Sequence, residues 1–131
     1  MEELLSLNNR VLLATRILRL GIAFSFLFAG YASFTDPVSW VGFLPPWIDM
    51  YSDTILFMSA VGEVIVGMWL LSGWQLPLAS SIAAASLFGI VLFNVGQFQI
   101  LFRDFALGIG AVALAVLGTL RVEPDEEKVE N

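Results

Sequence analysis

One acidic residue lies in the middle of a long apolar stretch of this 131-residue chain. Glu63 belongs to the segment FMSAVGEVIVGMWLLSG, and all the remaining residues of this segment are uncharged. If this segment crosses a bilayer, an ionised carboxylate near its centre costs at least about 2.5–3.5 kcal/mol on insertion scales. The side chain must therefore face the interior of a helix bundle, carry a proton or have a partner, and Glu63 is the first candidate for proton or ligand chemistry.

Four other polar residues can join Glu63 at one end of the same bundle. They are Asn94, Gln97, Arg103 and Asp104. At 1.5 Å per residue, Asn94 lies roughly 10 Å outward of the centre of its helix. The long stem of Arg103 can reach several ångströms along the bundle towards Glu63. We therefore predict a polar pocket in the outer half of the bundle, with Glu63 at its floor.

Two alternatives stay open for Glu63. Arg19 lies towards the inner end of the first apolar segment, and it can pair with Glu63 in place of Arg103. The pocket would then lie in the cytoplasmic half. The whole set can also be a structural ion-pair or hydrogen-bond network without a ligand, because buried polar groups can fix the register of packed helices.

The absence of two residue types limits the kinds of reaction and cofactor site that this chain can support. The chain has no cysteine and no histidine, which excludes disulfides, thiol catalysis and metal or haem sites that depend on these side chains. No metal site is predicted. A formal net charge of -6 argues against nucleic-acid binding, which needs a basic face. Any redox role must use a cofactor held by other means or belong to a partner.

The composition indicates that a bilayer surrounds the elements that position these residues. Hydrophobic residues make up 58% of the chain and charged residues only 14%, with a mean hydropathy of +0.84. A soluble domain carries about 45–50% apolar and about 25% charged residues. The chain therefore has too little polar surface for a soluble domain.

Four apolar segments reach the roughly 20 residues that a spanning helix needs. They cover about residues 15–35, 54–74, 77–96 and 102–120. Their apolar runs are continuous and lack the alternation of a barrel strand. The length of the first, and the arginines within it, favour a full span over a cleaved signal peptide. We predict an all-α fold: a four-transmembrane-helix bundle in residues 1–121, followed by an acidic, disordered cytoplasmic tail in residues 122–131.

Small residues at four-residue spacing predict where these helices pack, because they let backbones approach closely. The stripe in the first span consists of Gly21, Ser25, Ala29 and Ser33, and the stripe in the third consists of Ser81, Ala85 and Gly89. We interpret the stripes as seams within one bundle, with a dedicated dimer face as the alternative.

The distribution of basic residues predicts the orientation. Four spans place both termini on one side of the membrane, and five of the six basic residues share that side. These five are Arg10, Arg16, Arg19, Arg121 and Lys128. Because cytoplasmic segments carry an excess of Lys and Arg, both termini are predicted to be in the cytoplasm and the protein in the cell membrane.

The loop between the first two spans then faces outward. It contains no Lys or Arg, and Pro45 and Pro46 interrupt any helix there. Trp40 and Trp47 are predicted interfacial anchors, since indole rings prefer the headgroup level. We expect this loop to lie on the membrane surface and cover the mouth of the pocket.

Three segments together resemble the DoxX-like family of small four-helix membrane proteins. The stretch RLGIAFSFLFAGYASFTDP is similar to the family's opening, with an arginine, a glycine-containing helix and then Asp36-Pro37. GEVIVGMWLLSG is similar to its second helix, and RDFALGIGAVALAVLG, which begins with Arg-Asp, to its fourth. Family members commonly carry a lysine after the first-helix glycine, whereas this chain has Ser33 and therefore lacks that cation.

The resemblance implies a membrane subunit of a quinone-linked oxidoreductase, or of a complex that handles thiol or oxidative stress. Glu63 and Asp104 would then handle protons, and Arg103 would stabilise negative charge that develops on a quinone. A soluble or membrane-bound redox subunit would be the partner, because the chain has no recognisable electron carrier of its own. The alternative is a non-catalytic anchor or carrier that binds a lipid or another small molecule.

Overall fold

The computed structural model describes residues 1–41 and 52–120, and all regular elements of these residues are helical. They are α1 (Glu2–Thr35), α2 (Pro37–Val41), α3 (Ser52–Ser72), α4 (Leu76–Phe93), a 3₁₀ turn (Val95–Gln97) and α5 (Phe98–Gly118). Four helices, α1, α3, α4 and α5, are long and apolar enough to cross a membrane. The predicted all-α membrane bundle is confirmed. Trp47, the two loop prolines and the predicted tail lie outside the described residues.

Two glycines allow α1 and α3 to pack closely as an antiparallel pair. A Cβ atom at Gly30 would lie 2.6 Å from Cγ2 of Val64 and 3.0 Å from the carbonyl oxygen of Ala60. A Cβ atom at Gly67 would lie 2.7 Å from Cγ of Leu27. Because ordinary carbon contacts are about 3.5–4.0 Å, these positions are compatible only with glycine unless the helices separate.

A second antiparallel pair consists of α4 and α5. A Cβ atom at Gly108 would lie 2.9 Å from the ring of Phe88, and one at Gly118 would lie 3.1 Å from Cδ of Pro77. The rings of Phe88 and Phe105 meet edge to face, with centroids 5.7 Å apart. The start of α4 therefore lies beside the end of α5.

The two pairs meet in a core built largely from small residues. Its buried members are Ile22, Ala23 and Phe26 of α1, Leu70 of α3, Ala79, Ala83, Ala84 and Leu87 of α4, and Ala111 and Leu114 of α5. Many larger apolar side chains point outward instead, among them Phe24, Phe28 and Met68. This distribution suits a protein whose outer surface is covered by lipid, where helices associate through close packing.

Some of the residues at the helix contacts differ from those of the predicted stripes. Ser33 is buried, but Gly21 is exposed, and a Cβ atom there would have no neighbour within 4 Å. On α4, Ser81 and Ala85 are exposed while Ala79 is fully buried. Small residues occur on several faces of these helices, so spacing alone does not select the face that packs.

The first helix is much longer than its predicted span. α1 has 34 residues, which at 1.5 Å per residue gives a length of about 51 Å, whereas the hydrocarbon core of a bilayer is about 30 Å thick. The helix begins at Glu2 rather than near residue 15. Residues 2–14 contain no glycine or proline that would interrupt the helix, so the helix continues past the apolar stretch.

A matched pair of substitutions tests the glycine contact. Gly30→Ala places a methyl group against the backbone of α3, and overpacking of this kind destabilises by about 1–3 kcal/mol. Gly21→Ala makes the same change on an open face of the same helix and is expected to be neutral or to stabilise by about 0.5–1 kcal/mol. Thermal unfolding of both variants in detergent, followed by circular dichroism, measures the difference. Equal stabilities would contradict the proposed contact.

Candidate functional site

Glu63 lies on the face of α3 that points into the bundle. Its neighbours at helical spacing, Ala60 and Leu70, are 1% and 0% exposed, and Gly67 packs against α1. Residues three, four and seven positions apart share a helix face, which aligns Glu63 with these buried positions. Its Oε2 atom is buried and has no hydrogen-bond partner among the described residues.

Asp104 brings a second carboxylate to this region from α5. It lies between two buried residues of its helix, Leu101 and Gly108, at spacings of three and four residues that place all three on one face. Asp104 is itself half-buried. Its charge acts on Glu63 as a repulsion. The fold therefore brings two carboxyl groups, one from α3 and one from α5, close enough for their charges to interact.

Arg103 supplies the positive charge at this end of the bundle. Its side chain is exposed, and its charge attracts the neighbouring carboxylate of Asp104. Arg103 thus acts on Asp104, and Asp104 in turn acts on Glu63. Arg103, Asp104 and Glu63 thus form a series of charged groups that begins at the surface of α5 and ends inside the bundle.

The two amides lie at the junction between α4 and α5. Nδ2 of Asn94 donates a hydrogen bond of 2.9 Å to the carbonyl oxygen of Ile90, so part of its capacity is used within its own helix. Gln97 is exposed and precedes the first residue of α5. Asn94 and Gln97 thus border the end of the bundle that contains Asp104, rather than its interior.

The end of α1 lies at the same end of the bundle as Asp104, and its last residues, 30–35, include no Lys or Arg. Ser33 is buried, and its hydroxyl donates a hydrogen bond of 2.8 Å to the carbonyl oxygen of Ala29. The rings of Phe34 and Phe57 meet edge to face, with centroids 5.5 Å apart. Trp40 follows in α2 and is half-buried.

Arg19 lies at the opposite end of the α1–α3 pair. Its Nη1 atom would be 2.5 Å from a Cβ atom at Gly73. Gly73 follows Glu63 by ten residues, or about 15 Å along a helix. The geometry therefore groups Glu63 with Asp104 and separates it from Arg19.

Sequence reasoning did not select Ser80, which is fully buried in α4. Its Oγ atom has no hydrogen-bond partner among the described residues. Four other helical serines donate to the carbonyl four residues earlier, as Ser81 does to Pro77 over 2.6 Å. The only signal in the sequence is a serine within a run of alanines, which is also the pattern of ordinary helix packing.

No three His, Cys, Asp or Glu side chains in residues 1–41 and 52–120 are grouped so that they could hold a metal ion. The donor set near Glu63 is thus a pair of carboxylates with a neighbouring guanidinium. Such a set can accept, donate and relay protons, and it can hydrogen-bond to a polar group of a bound molecule.

The fold and this charged pair define a multi-pass membrane protein with acidic side chains inside a four-helix bundle. The model of the DoxX family matches residues 14–96, which is more than half of the chain, and the protein belongs to the DoxX family. Glu63 lies within the matched region, whereas Arg103 and Asp104 lie beyond it. No curated protein and no solved structure matches the chain.

A double-mutant cycle on Glu63→Gln and Asp104→Asn tests whether the two carboxylates interact. Each substitution keeps the shape and removes the charge, so the stabilities of the two single variants should not add in the double variant. We expect a coupling free energy of about 0.5–3 kcal/mol from thermal unfolding in detergent. The same cycle on Glu63 and Asp36, which is exposed beyond the end of α1, is the control. A Glu63–Asp104 coupling no larger than the control would contradict the pair.

Proposed function

We propose that this protein is the membrane subunit of a quinone-linked oxidoreductase, or of a redox complex that responds to thiol or oxidative stress. The observation that carries the proposal is the pair of carboxylates, Glu63 on α3 and Asp104 on α5, directed into an apolar bundle. A structural role alone is a poor reason for two repelling acids, because their mutual repulsion opposes packing. A role in proton transfer accounts for both acids.

A quinone fits the donor set. When bound, a quinone takes up two electrons and two protons and becomes a quinol. The buried Oε2 of Glu63 has no partner among the described residues, so it can donate to a quinone carbonyl when the carboxyl group is protonated, or accept from a quinol hydroxyl when it is ionised. The surrounding apolar side chains suit the ring and lipid tail of such a ligand.

The residues of this chain would divide the proton chemistry between them. Glu63 hydrogen-bonds to the ligand and passes on a proton, and Asp104 connects Glu63 with the surface. Arg103 attracts the charge of Asp104 and favours negative charge that develops nearby. Asn94 and Gln97 border the opening, and Trp40 with Trp47 anchors the covering loop at the interface.

Electrons for the reaction would come from a partner subunit. The sequence has neither cysteine nor histidine, the side chains that hold most protein-bound iron–sulfur clusters and haems. The partner is therefore a soluble or membrane-bound redox protein that delivers electrons to a quinone held here. We place the complex in the cytoplasmic membrane, with the pocket in the outer half of the bundle and both termini in the cytoplasm.

A second candidate function is that of an anchor or carrier that binds a lipid or small molecule without electron transfer. It is favoured by the exposure of Arg103, since the charge named as acting on Glu63 within the described part of the chain is the repelling one of Asp104. The two candidates share the pocket and differ in whether a bound quinone is reduced. The complex isolated from native membranes decides between them, through mass spectrometry of its bound ligand and an assay of decylubiquinone reduction.

Glu63→Gln tests the pocket in the purified protein. Decylubiquinol should raise the thermal stability of the wild-type protein in detergent, and the variant should bind it about 10-fold or more weakly, because a hydrogen bond from a quinol hydroxyl to a carboxylate contributes about 1.5–3 kcal/mol. Asp53→Asn, at an exposed acid near the start of the same helix, is the matched control and should bind normally. Equal binding by all three proteins would refute the quinone pocket.

Reporter fusions test the proposed orientation. Five of the six basic residues lie on the side of the termini, and the positive-inside rule places that side in the cytoplasm. A fluorescent protein that matures only in the cytoplasm should be active when fused after Asn131, and alkaline phosphatase at the same position should be inactive. Active phosphatase and a dark fluorescent protein would reverse the topology.

A further inference from the structure

The turn between α3 and α4 holds an arginine in a fixed position. Arg19 of α1 extends its guanidinium to this turn, where Nη1 would lie 2.5 Å from a Cβ atom at Gly73. Gly73 has φ +72, in the left-handed region that favours glycine. The backbone conformation therefore favours glycine at position 73, and a side chain there would displace the guanidinium of Arg19.

One nitrogen of the Arg19 side chain has no acceptor among the described residues. This nitrogen, Nε, is buried. The last carbonyl groups of α3 offer partial negative charge but no full countercharge. The acids of the same helix, Glu2 and Glu3, are at least sixteen residues earlier, or about 24 Å along the helix. A full negative charge must come from outside this part of the chain.

The depth of the turn indicates where that charge comes from. α3 ends at Ser72 and α4 begins at Leu76, so the turn stands at the limit of two spanning helices. The indole N–H of Trp69 donates a hydrogen bond of 2.8 Å to the carbonyl oxygen of Trp74, and the two rings lie 6.3 Å apart. Tryptophan prefers the headgroup level of a bilayer, which puts Arg19 at the depth of lipid phosphates.

We propose that Arg19, held against Gly73, binds the phosphate group of an anionic glycerophospholipid at the α3–α4 turn. The planar guanidinium presents paired N–H donors that match two phosphate oxygens. Arg16 lies three residues earlier on the same helix and is exposed, so it adds positive charge beside the site. The bound lipid fastens α1 to the α3–α4 turn through a contact that the protein does not complete by itself. This site is independent of the pocket at Glu63.

Native mass spectrometry of the full-length protein in detergent tests the site with dioleoylphosphatidylglycerol as the probe. The wild-type protein should bind this lipid at one preferred site, and more tightly than dioleoylphosphatidylcholine, in which a quaternary ammonium group competes for the phosphate. Arg19→Gln should weaken binding of the anionic lipid about tenfold or more, as expected for a lost charge-assisted hydrogen bond. Arg10→Gln, the same change nine residues further from the turn, should alter binding less than about twofold, because exposed charges contribute little.

Gly73→Ala tests whether the position of the Arg19 guanidinium matters for lipid binding separately from its charge. It keeps every charged group but directs a methyl group at Nη1 of Arg19, so the guanidinium must move and lipid binding should fall severalfold. Arg19→Lys keeps the charge without the paired donors and should bind with intermediate affinity. Circular dichroism of each variant verifies that the helices are intact.

Three outcomes would overturn the proposal. One is equal binding of the anionic lipid by the wild-type protein and Arg19→Gln in their folded states. A second is displacement of the lipid by inorganic phosphate at equal concentration, which would make this a site for free anions. The third is a severalfold gain in lipid binding when the five acids of the tail are replaced by Glu123→Gln, Asp125→Asn, Glu126→Gln, Glu127→Gln and Glu130→Gln, which would show that the acidic tail occupies Arg19.

Discussion

Close approach of α1 and α3 at two glycines is the constraint from which the interior of this protein follows. In a bilayer, helices gain little from leaving lipid, so they associate through van der Waals contact and polar interactions. Gly30 and Gly67 permit that contact, and they fix the rotation of α3 about its axis. With Ala60, Val64 and Gly67 turned towards α1, the intervening Glu63 is directed into the bundle.

That rotation brings two acidic groups towards the interior. When both are ionised, Glu63 and Asp104 repel each other, while the guanidinium of Arg103 stays at the surface beside Asp104. The hydroxyl of Ser33 donates its hydrogen bond within its own helix. A bound proton, or a hydrogen-bond donor on a bound molecule, can relieve the repulsion between the two carboxylates. The same feature that makes the site costly for folding thus makes it suited to proton transfer or ligand binding.

The two ends of the bundle differ in chemistry. The end that contains Asp104 is bordered by amides and aromatic rings, and its charged groups lead from the surface inward. At the other end, Arg19 meets the turn at Gly73, and tryptophan rings lie beside it. One end therefore has acids directed into the protein, and the other has a cation directed to the level of the headgroups. Under the two proposals, one small bundle contacts a ligand in its interior and lipid at its rim.

The sequence by itself determined the class of fold, since four continuous apolar runs can satisfy their backbone groups in lipid only as helices. It also singled out Glu63 and Asp104, because charged residues inside apolar segments are rare and costly. It did not determine which small residues pack: Gly21 lies in the predicted stripe and faces open space, while Gly30 meets α3. Nor could it separate Arg19 from Arg103 as the group nearer to Glu63. Those choices depend on the rotation and pairing of helices, which only tertiary packing decides, because several faces of each helix are similarly apolar and small.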